Sequence, residues 1–222
     1  MTHEPIQTKE GVWVLSNDTH LSKWIAEHGR LDFDTHFLKE ICQFIKGGDV
    51  VIDVGAFVGD HTLAYANMTS GRPGAVWAFE PNPIVYECLK KNMAPYSHVY
   101  CVRAGVSDKE SMTKLQTDPN LGGAHLIELP EGDIITVTID SLNLDRCALI
   151  KIDAEGFEAR VLIGAKKTLS RCRPVLVIEI NEGALQRQGW SGERLTELIT
   201  NLGYRITGAH LGLQYDVICH PV

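Results

Sequence analysis

Apolar residues along this chain follow two alternating rhythms. Short runs at Val50–Val54, Ala75–Phe79, Val99–Val102, Ala148–Ile152 and Pro174–Ile180 have the length and character of strands buried on both faces. Between most of these runs, apolar residues recur every three or four positions, as a helix face requires. They do so over His61–Met68, Pro83–Asn92, Glu158–Ser170 and Gly192–Leu202. Pro81-Asn82-Pro83 opens the second of these helices, where proline is tolerated in the first turn. Strands alternating with helices predict a mostly parallel sheet covered on both faces. The last two strands, Tyr204–Thr207 and Tyr215–Cys219, are joined by residues 208–214 alone. That link is too short for a parallel crossover, so the pair is expected to close the sheet as an antiparallel hairpin.

Two regions depart from this rhythm. Residues 12–46 read as helical, with Val12, Trp13, Leu15, Trp24, Ile25, Phe33, Phe37, Leu38, Ile41, Phe44 and Ile45 at mixed spacing, a break at Gly29 and a stop at Gly47-Gly48. The expected division is an N-terminal helical extension over 1–47 and a sheet domain over 48–222. The aromatic residues of the extension are either plain core or a lid over a ligand. Residues 106–138 hold two further strands, Thr113–Gln116 and Ile134–Thr138, separated by a polar, glycine-rich stretch, Asp118–Asp133. A loop of that length in a compact domain is usually functional or disordered.

Composition narrows the function classes. The 222 residues suit one medium domain, and a net charge of −7 disfavours a nucleic-acid partner. The basic clusters are short (Lys90-Lys91, Lys166-Lys167 and Arg171-Cys172-Arg173) and read as solvated helix faces. No apolar stretch approaches the ~20 residues of a membrane span. The N-terminus lacks a basic segment followed by an apolar one, so the expected location is cytoplasmic. Six scattered cysteines without a CxxC pair read as buried thiols rather than as disulfides or a zinc site. Nothing in the sequence speaks to oligomeric state.

The sharpest local signal is Val51-Ile52-Asp53-Val54-Gly55-Ala56-Phe57-Val58-Gly59-Asp60-His61-Thr62, a strand ending in an acid, a turn with two glycines, then a helix. Glycine admits close backbone approach, and a helix N-terminus offers N–H groups to an anion. The spacing is not GxGxxG, so the dinucleotide fingerprint is absent. Glu80 ends the next strand, where an acid can accept both ribose hydroxyls of a nucleotide; the bland alternative is a carboxylate at a helix start. Ser107-Asp108 follows the third strand, where Asp108 either accepts from an adenine amine or forms an ordinary turn.

With Ile150-Lys151-Ile152-Asp153-Ala154-Glu155-Gly156-Phe157-Glu158 added, these segments resemble the FkbM-type methyltransferases from about Gly48 to Glu179. The resemblance implies a Rossmann-like class I fold, S-adenosylmethionine as cofactor, and O-methylation of a hydroxyl on a sugar, glycan or polyketide-like small molecule. It departs from the family at Phe57-Val58, where members often carry Asn-Ile or Asn-Val. On this reading the cofactor is held by Asp53, Gly55, Ala56, Gly59, His61, Thr62, Glu80, Pro81, Asn82, Ser107, Asp108 and Asp153. The methionine carboxylate meets the helix start and its ammonium lies near Asp53.

Ligands of open α/β sheets bind at the carboxyl ends of the strands, where Asp53, Glu80, Asp153 and Glu179 all fall. Together these acids suit a cationic cofactor. Methyl transfer is an in-line displacement at an activated sulfonium, and a hydroxyl nucleophile gains from a general base. Asp153 is the first candidate, Glu179 the second, and His125, on the long loop, the third. Asp153, Glu179 and Asn181 could instead offer oxygen to Mg²⁺; hydrogen bonds to cofactor and substrate are the preferred reading, with no metal. A nicotinamide oxidoreductase and a non-catalytic nucleotide-binding subunit are the rival functions.

Overall fold

The computed structural model describes residues 3–18, 21–29, 31, 35–70, 73–116, 124–129, 131–209 and 214–222. The central strands are β3 (Val50–Val54), β4 (Ala75–Phe79), β5 (Val99–Val102), β10 (Leu149–Ile152), β11 (Val175–Asn181), β12 (Tyr204–Ala209) and β13 (Gln214–Pro221). They lie in the order β12-β13-β11-β10-β3-β4-β5. From β11 to β5 all neighbours are parallel, while β13 runs antiparallel between β11 and β12, closing the sheet as expected.

Every residue of β3 and β10 is buried, because helices cover both faces. One face carries Val51, Val76, Leu149, Val177 and Ile218 under α2 (Thr35–Cys42) and α3 (Asp60–Met68). On the other, Ile52, Ile150, Leu176, Ile178 and Val217 pack on α5 (Glu158–Ile163), α6 (Lys166–Cys172) and α8 (Gly192–Asn201). The helix expected over 158–170 is thus two, parted at Gly164-Ala165. α4 (Pro83–Met93) starts as the sequence suggests, with Asn82 as N-cap, its side chain accepting from the Ile84 N–H, and Pro83 in the first turn. α7 (Glu182–Arg187) is a further short helix, capped by Asn181.

The N-terminal segment is not wholly helical. β1 (Pro5–Gln7) and β2 (Trp13–Leu15) form an antiparallel hairpin, and among the described residues only α1 (Leu21–His28) and α2 are helices there. Val12, Trp13 and Leu15 therefore belong to a strand region. Tertiary hydrogen bonds decide this: Asn92 of α4 accepts from the Trp13 N–H at 2.8 Å and donates to the Trp13 carbonyl at 2.8 Å. The same amide donates to the Val58 carbonyl at 2.8 Å, tying β2 to the glycine turn. Phe33 lies outside the described residues.

The segment between β5 and β10 builds a second sheet from β6 (Gly105–Val106), β7 (Ser111–Gln116), β8 (His125–Glu128) and β9 (Ile134–Val137), in the order β6-β9-β7-β8. The stretch expected to be a loop over 118–133 thus contains a strand, paired to β7. Residues 117–123 and 130 of that stretch lie outside the described residues. Leu126, Ile134 and Phe157 form a small apolar cluster that docks this sheet beside the carboxyl end of β10.

Candidate active site

Residues 51, 149, 177 and 218 keep one sheet face apolar beneath α2 and α3. Past that cover, the same face turns polar. Asp53 lies beside Lys151 across β3 and β10, and Glu179 beside Asp216 across β11 and β13. Asp153 stands two residues beyond Lys151. All of these but Asp53 border a cleft of about 550 Å³, within the ~300–1,000 Å³ of small-ligand sites. Its lining brings together Gly55, Ala56, His61, Glu80, Pro81, Asp153, Glu179 and His125. Eight of the residues singled out in the sequence therefore share one cleft.

The first part of the glycine turn is bonded internally. The N–H groups of Gly55 and Ala56 are taken by the Phe79 carbonyl (3.0 and 2.9 Å) and that of Phe57 by Glu80 Oε2 (3.1 Å). Gly55 is glycine because it sits at φ +79° and a Cβ there would lie 1.8 Å from the Asp153 carbonyl oxygen. Gly59 faces away from the cleft, against Met93 and Leu89 of α4. Phe57, at φ +48°, occupies a left-handed position that asparagine adopts more easily than phenylalanine.

Several residues expected to hold cofactor support the cleft instead of lining it. Asp53 is wholly buried and accepts from Thr62 Oγ1 at 2.6 Å; its other oxygen, Oδ1, has no hydrogen-bond partner. Asn82 is spent on capping α4, and its N–H donates to Glu80 Oε1 at 2.8 Å. Ser107 is buried and donates to Asp108 Oδ1, which also accepts from Arg160 at 3.3 Å. Asp108 is thereby tied to α5 and lies outside the lining.

The segment after β10 is held by its second glutamate. Glu158, 1% exposed, accepts from the Ala154 and Gly156 N–H groups, both at 3.0 Å. That pins a turn in which Glu155 (φ +49°) and Gly156 (φ +106°) are both left-handed. Only glycine fits at 156, where a Cβ would meet the Ala184 carbonyl oxygen at 2.4 Å. Glu155 then faces the cleft, 3.8 Å from Arg187. Oxygens of Asp153, Glu155 and Glu179 lie within 4.8 Å of one another, close enough to share a cation. Lys151 and Arg187 already stand against two of the three. Asn181, the third ligand expected for a metal, is occupied with the Ala184 N–H.

Sequence reasoning missed Lys151, Asp60 and Asp216. Lys151 is 5% exposed, and its Nζ lies 3.0 Å from Asp153 Oδ2. A lysine inside a strand buried on both faces needs a charged partner, and that was the signal available. Burial works against its charge, but Asp153, Asp53 and Asp216 outweigh burial and raise its pKa. Burial, with the Lys151 charge adding to it, keeps His61 well below the usual imidazole range and so neutral. Asp60, Glu80 and Glu158 are each pushed up to about 7, chiefly by burial. Glu179 is pushed up to about 9 by burial and then by the charges of Asp153 and Glu155.

These raised acids carry a stability prediction. From about pH 4.5 upward, the folded chain holds protons on them that the unfolded chain has lost. Their stabilisation is complete below that range and drains away as pH rises through 7 to 9. His61 opposes this only below its ordinary pKa near 6.5. The thermal midpoint of the ligand-free protein is therefore expected to fall by several degrees between pH 7 and pH 9, measured by scanning calorimetry. A flat or rising midpoint would contradict the burial of these carboxyls.

The strand order, the inserted antiparallel β13 and an acid-lined cleft at the carboxyl ends define a class I S-adenosylmethionine-dependent methyltransferase fold. The model of the methyltransferase FkbM domain matches residues 53–206, and the chain belongs to this family. S-adenosylmethionine is its cofactor. Among solved structures, the methyltransferase FkbM of Methylobacillus flagellatus KT superposes with a TM-score of 0.55 at 22% identity, covering 78% of this chain. The chain spans only 43% of that protein. The precorrin-6y C5,15-methyltransferase of Geobacter metallireducens GS-15 follows at 0.53 and 14% identity, covering 86% of this chain and 91% of its own. SMU.1697c of Streptococcus mutans, solved in complex with SAH, gives 0.52 and 12%, covering 84% and 96%. No curated protein matches the sequence.

The residues present fit this cofactor. An acid-rich cleft suits a sulfonium, and Asp53 beneath it keeps an orphaned buried oxygen. Among the described residues, no helix is long and apolar enough to cross a membrane.

Proposed function

We propose that the chain O-methylates a hydroxyl of a sugar, glycan or polyketide-like small molecule, with Asp153 as general base. The observation that carries this reading is the placement of Asp153. Its side chain is 34% exposed at the end of β10, opens into the cleft, and is oriented by Lys151. Glu179, the second candidate, is less suited to the role, because a carboxyl with a pKa of about 9 already holds its proton at neutral pH. His125, the third candidate, lines the cleft from β8. When bound, the cofactor supplies the methyl group on an activated sulfonium; the chain's own residues orient the acceptor and take its proton.

The lining is rich in carboxylates, and its two cations, Lys151 and Arg187, both stand beside acids. Phosphorylated and nucleic-acid acceptors are disfavoured by that charge. Asp18, Leu21 and Phe37 reach the cleft from the N-terminal segment, which supports the reading of that segment as a lid. The test is transfer of labelled methyl from S-adenosylmethionine to a panel of neutral glycans and alcohols, with the product bond assigned by NMR. Methylation of carbon, nitrogen or a phosphorylated acceptor in preference to a hydroxyl would overturn the proposal.

Glu80 is assigned to the ribose hydroxyls. It lines the cleft with both oxygens oriented by backbone N–H groups, so it keeps lone pairs for a ligand without moving. Glu80→Ala is expected to weaken S-adenosylhomocysteine binding more than about tenfold through two lost hydrogen bonds. Calorimetry checks this, and unchanged affinity would remove the ribose role.

A further inference from the structure

Lys151 sits where several elements of the cleft converge. Asp53 of β3 is its register partner, and Asp153 follows on its own strand at 3.0 Å. Asp60 and His61 at the start of α3, Glu179 of β11 and Asp216 of β13 lie around it, and Tyr65 of α3, Glu80 and Glu158 act on the same acids. At 5% exposure it is sealed from water except toward the cleft. Without a fixed cation, carboxylates this close could not stay ionised together.

We propose that Lys151 is a positioning residue, the built-in countercharge that offsets the buried charge of Asp53 and fixes the Asp153 side chain at the floor of the cleft, so that the cofactor's sulfonium meets acids already in place. A lysine beside a cationic ligand looks unfavourable by simple Coulomb reckoning. The geometry resolves this. Lys151 lies in the sheet floor among the acids and stabilises them before the ligand arrives, whereas a cleft without it would fill with protons that the sulfonium must then expel. Orientation adds to charge, because the Nζ contact fixes one Asp153 oxygen while the residue lines the cleft. This assignment does not depend on the identity of the acceptor.

The experiment compares S-adenosylmethionine, which carries the sulfonium, with S-adenosylhomocysteine, which lacks it. Dissociation constants for both are measured by calorimetry from pH 5.5 to 8.5 on the wild-type chain, Lys151→Met and Lys151→Arg. Titration of the free ligands is common to all variants and cancels between them. Loss of the countercharge is expected to move the pH below which the sulfonium preference collapses upward by about one unit or more in Lys151→Met. Near pH 6 the preference should fall about tenfold against wild type. By pH 8.5 it should return to the wild-type level or exceed it, since a like charge has gone. Lys151→Arg is expected to keep the wild-type profile.

Parallel loss of both affinities with no displacement in pH would show a packing role and overturn the proposal, as would a Lys151→Arg profile displaced like that of Lys151→Met. Should Lys151→Met fail to fold, adding Asp153→Asn is expected to restore folding by removing the uncompensated charge. A double variant that stays unfolded overturns the proposal equally.

Discussion

Gly55→Ala is expected to yield a chain that fails to accumulate as folded protein, or that binds S-adenosylmethionine undetectably if it does. The new Cβ would lie 1.8 Å from the Asp153 carbonyl oxygen. Relief by a rotamer change is impossible, because the backbone fixes the Cβ position and the oxygen it meets is itself backbone, at adjacent strand ends. The residue also sits at φ +79°, where any side chain is strained. Left-handed strain alone costs about 1–2 kcal/mol; with the backbone clash, the total should exceed about 4 kcal/mol, a large share of a typical domain's stability. Circular dichroism and denaturant titration measure it. A Gly55→Ala protein of wild-type stability would mean that β3 and β10 are not this close. The same substitution at Gly189, where an added Cβ meets nothing within 4 Å, is the control that carries the left-handed strain without the clash.

Asp153→Asn is expected to lower turnover by about 10²–10⁴-fold while leaving S-adenosylhomocysteine affinity within a few-fold. The amide preserves shape and can still accept from Lys151, but it cannot take a proton from a hydroxyl. The effect should therefore fall on the chemical step, read by single-turnover kinetics with the acceptor returned by the methyl-transfer screen. Unchanged turnover would exclude Asp153 as the base. A matching loss in cofactor affinity would instead make Asp153 chiefly a cofactor ligand.

The strand ends carried most of what the sequence could say about the site. Asp53, Glu80, Asp153 and Glu179 were each legible as acids closing an apolar run, and a parallel sheet brings such ends to one edge. What stayed hidden was which of them face the cleft. Thr62 donates to one oxygen of Asp53 beneath it, and Asp108 is drawn to Arg160, a residue 52 positions away. Lys151 stood in a run already expected to be buried on both faces, but which acids neutralise it is set by neighbouring strands and not by its own segment. His125 was placed on a loop because a four-residue strand of mixed burial has no period long enough to read.

Val12–Leu15 shows the same limit from the other side. Its spacing matched a helix as well as a strand, and the choice fell to Asn92, whose side-chain amide takes up the Trp13 backbone. Local sequence determined the alternation of strands and helices, the closing hairpin and the acid at each strand end, because periodicity and chain length constrain these without reference to distant residues. Tertiary structure alone decided which acids line the cleft and which brace it, why Gly55 must be glycine, and that a lysine lies among the carboxylates. Those outcomes rest on contacts across neighbouring strands, where burial and a single partner atom set the role of each side chain.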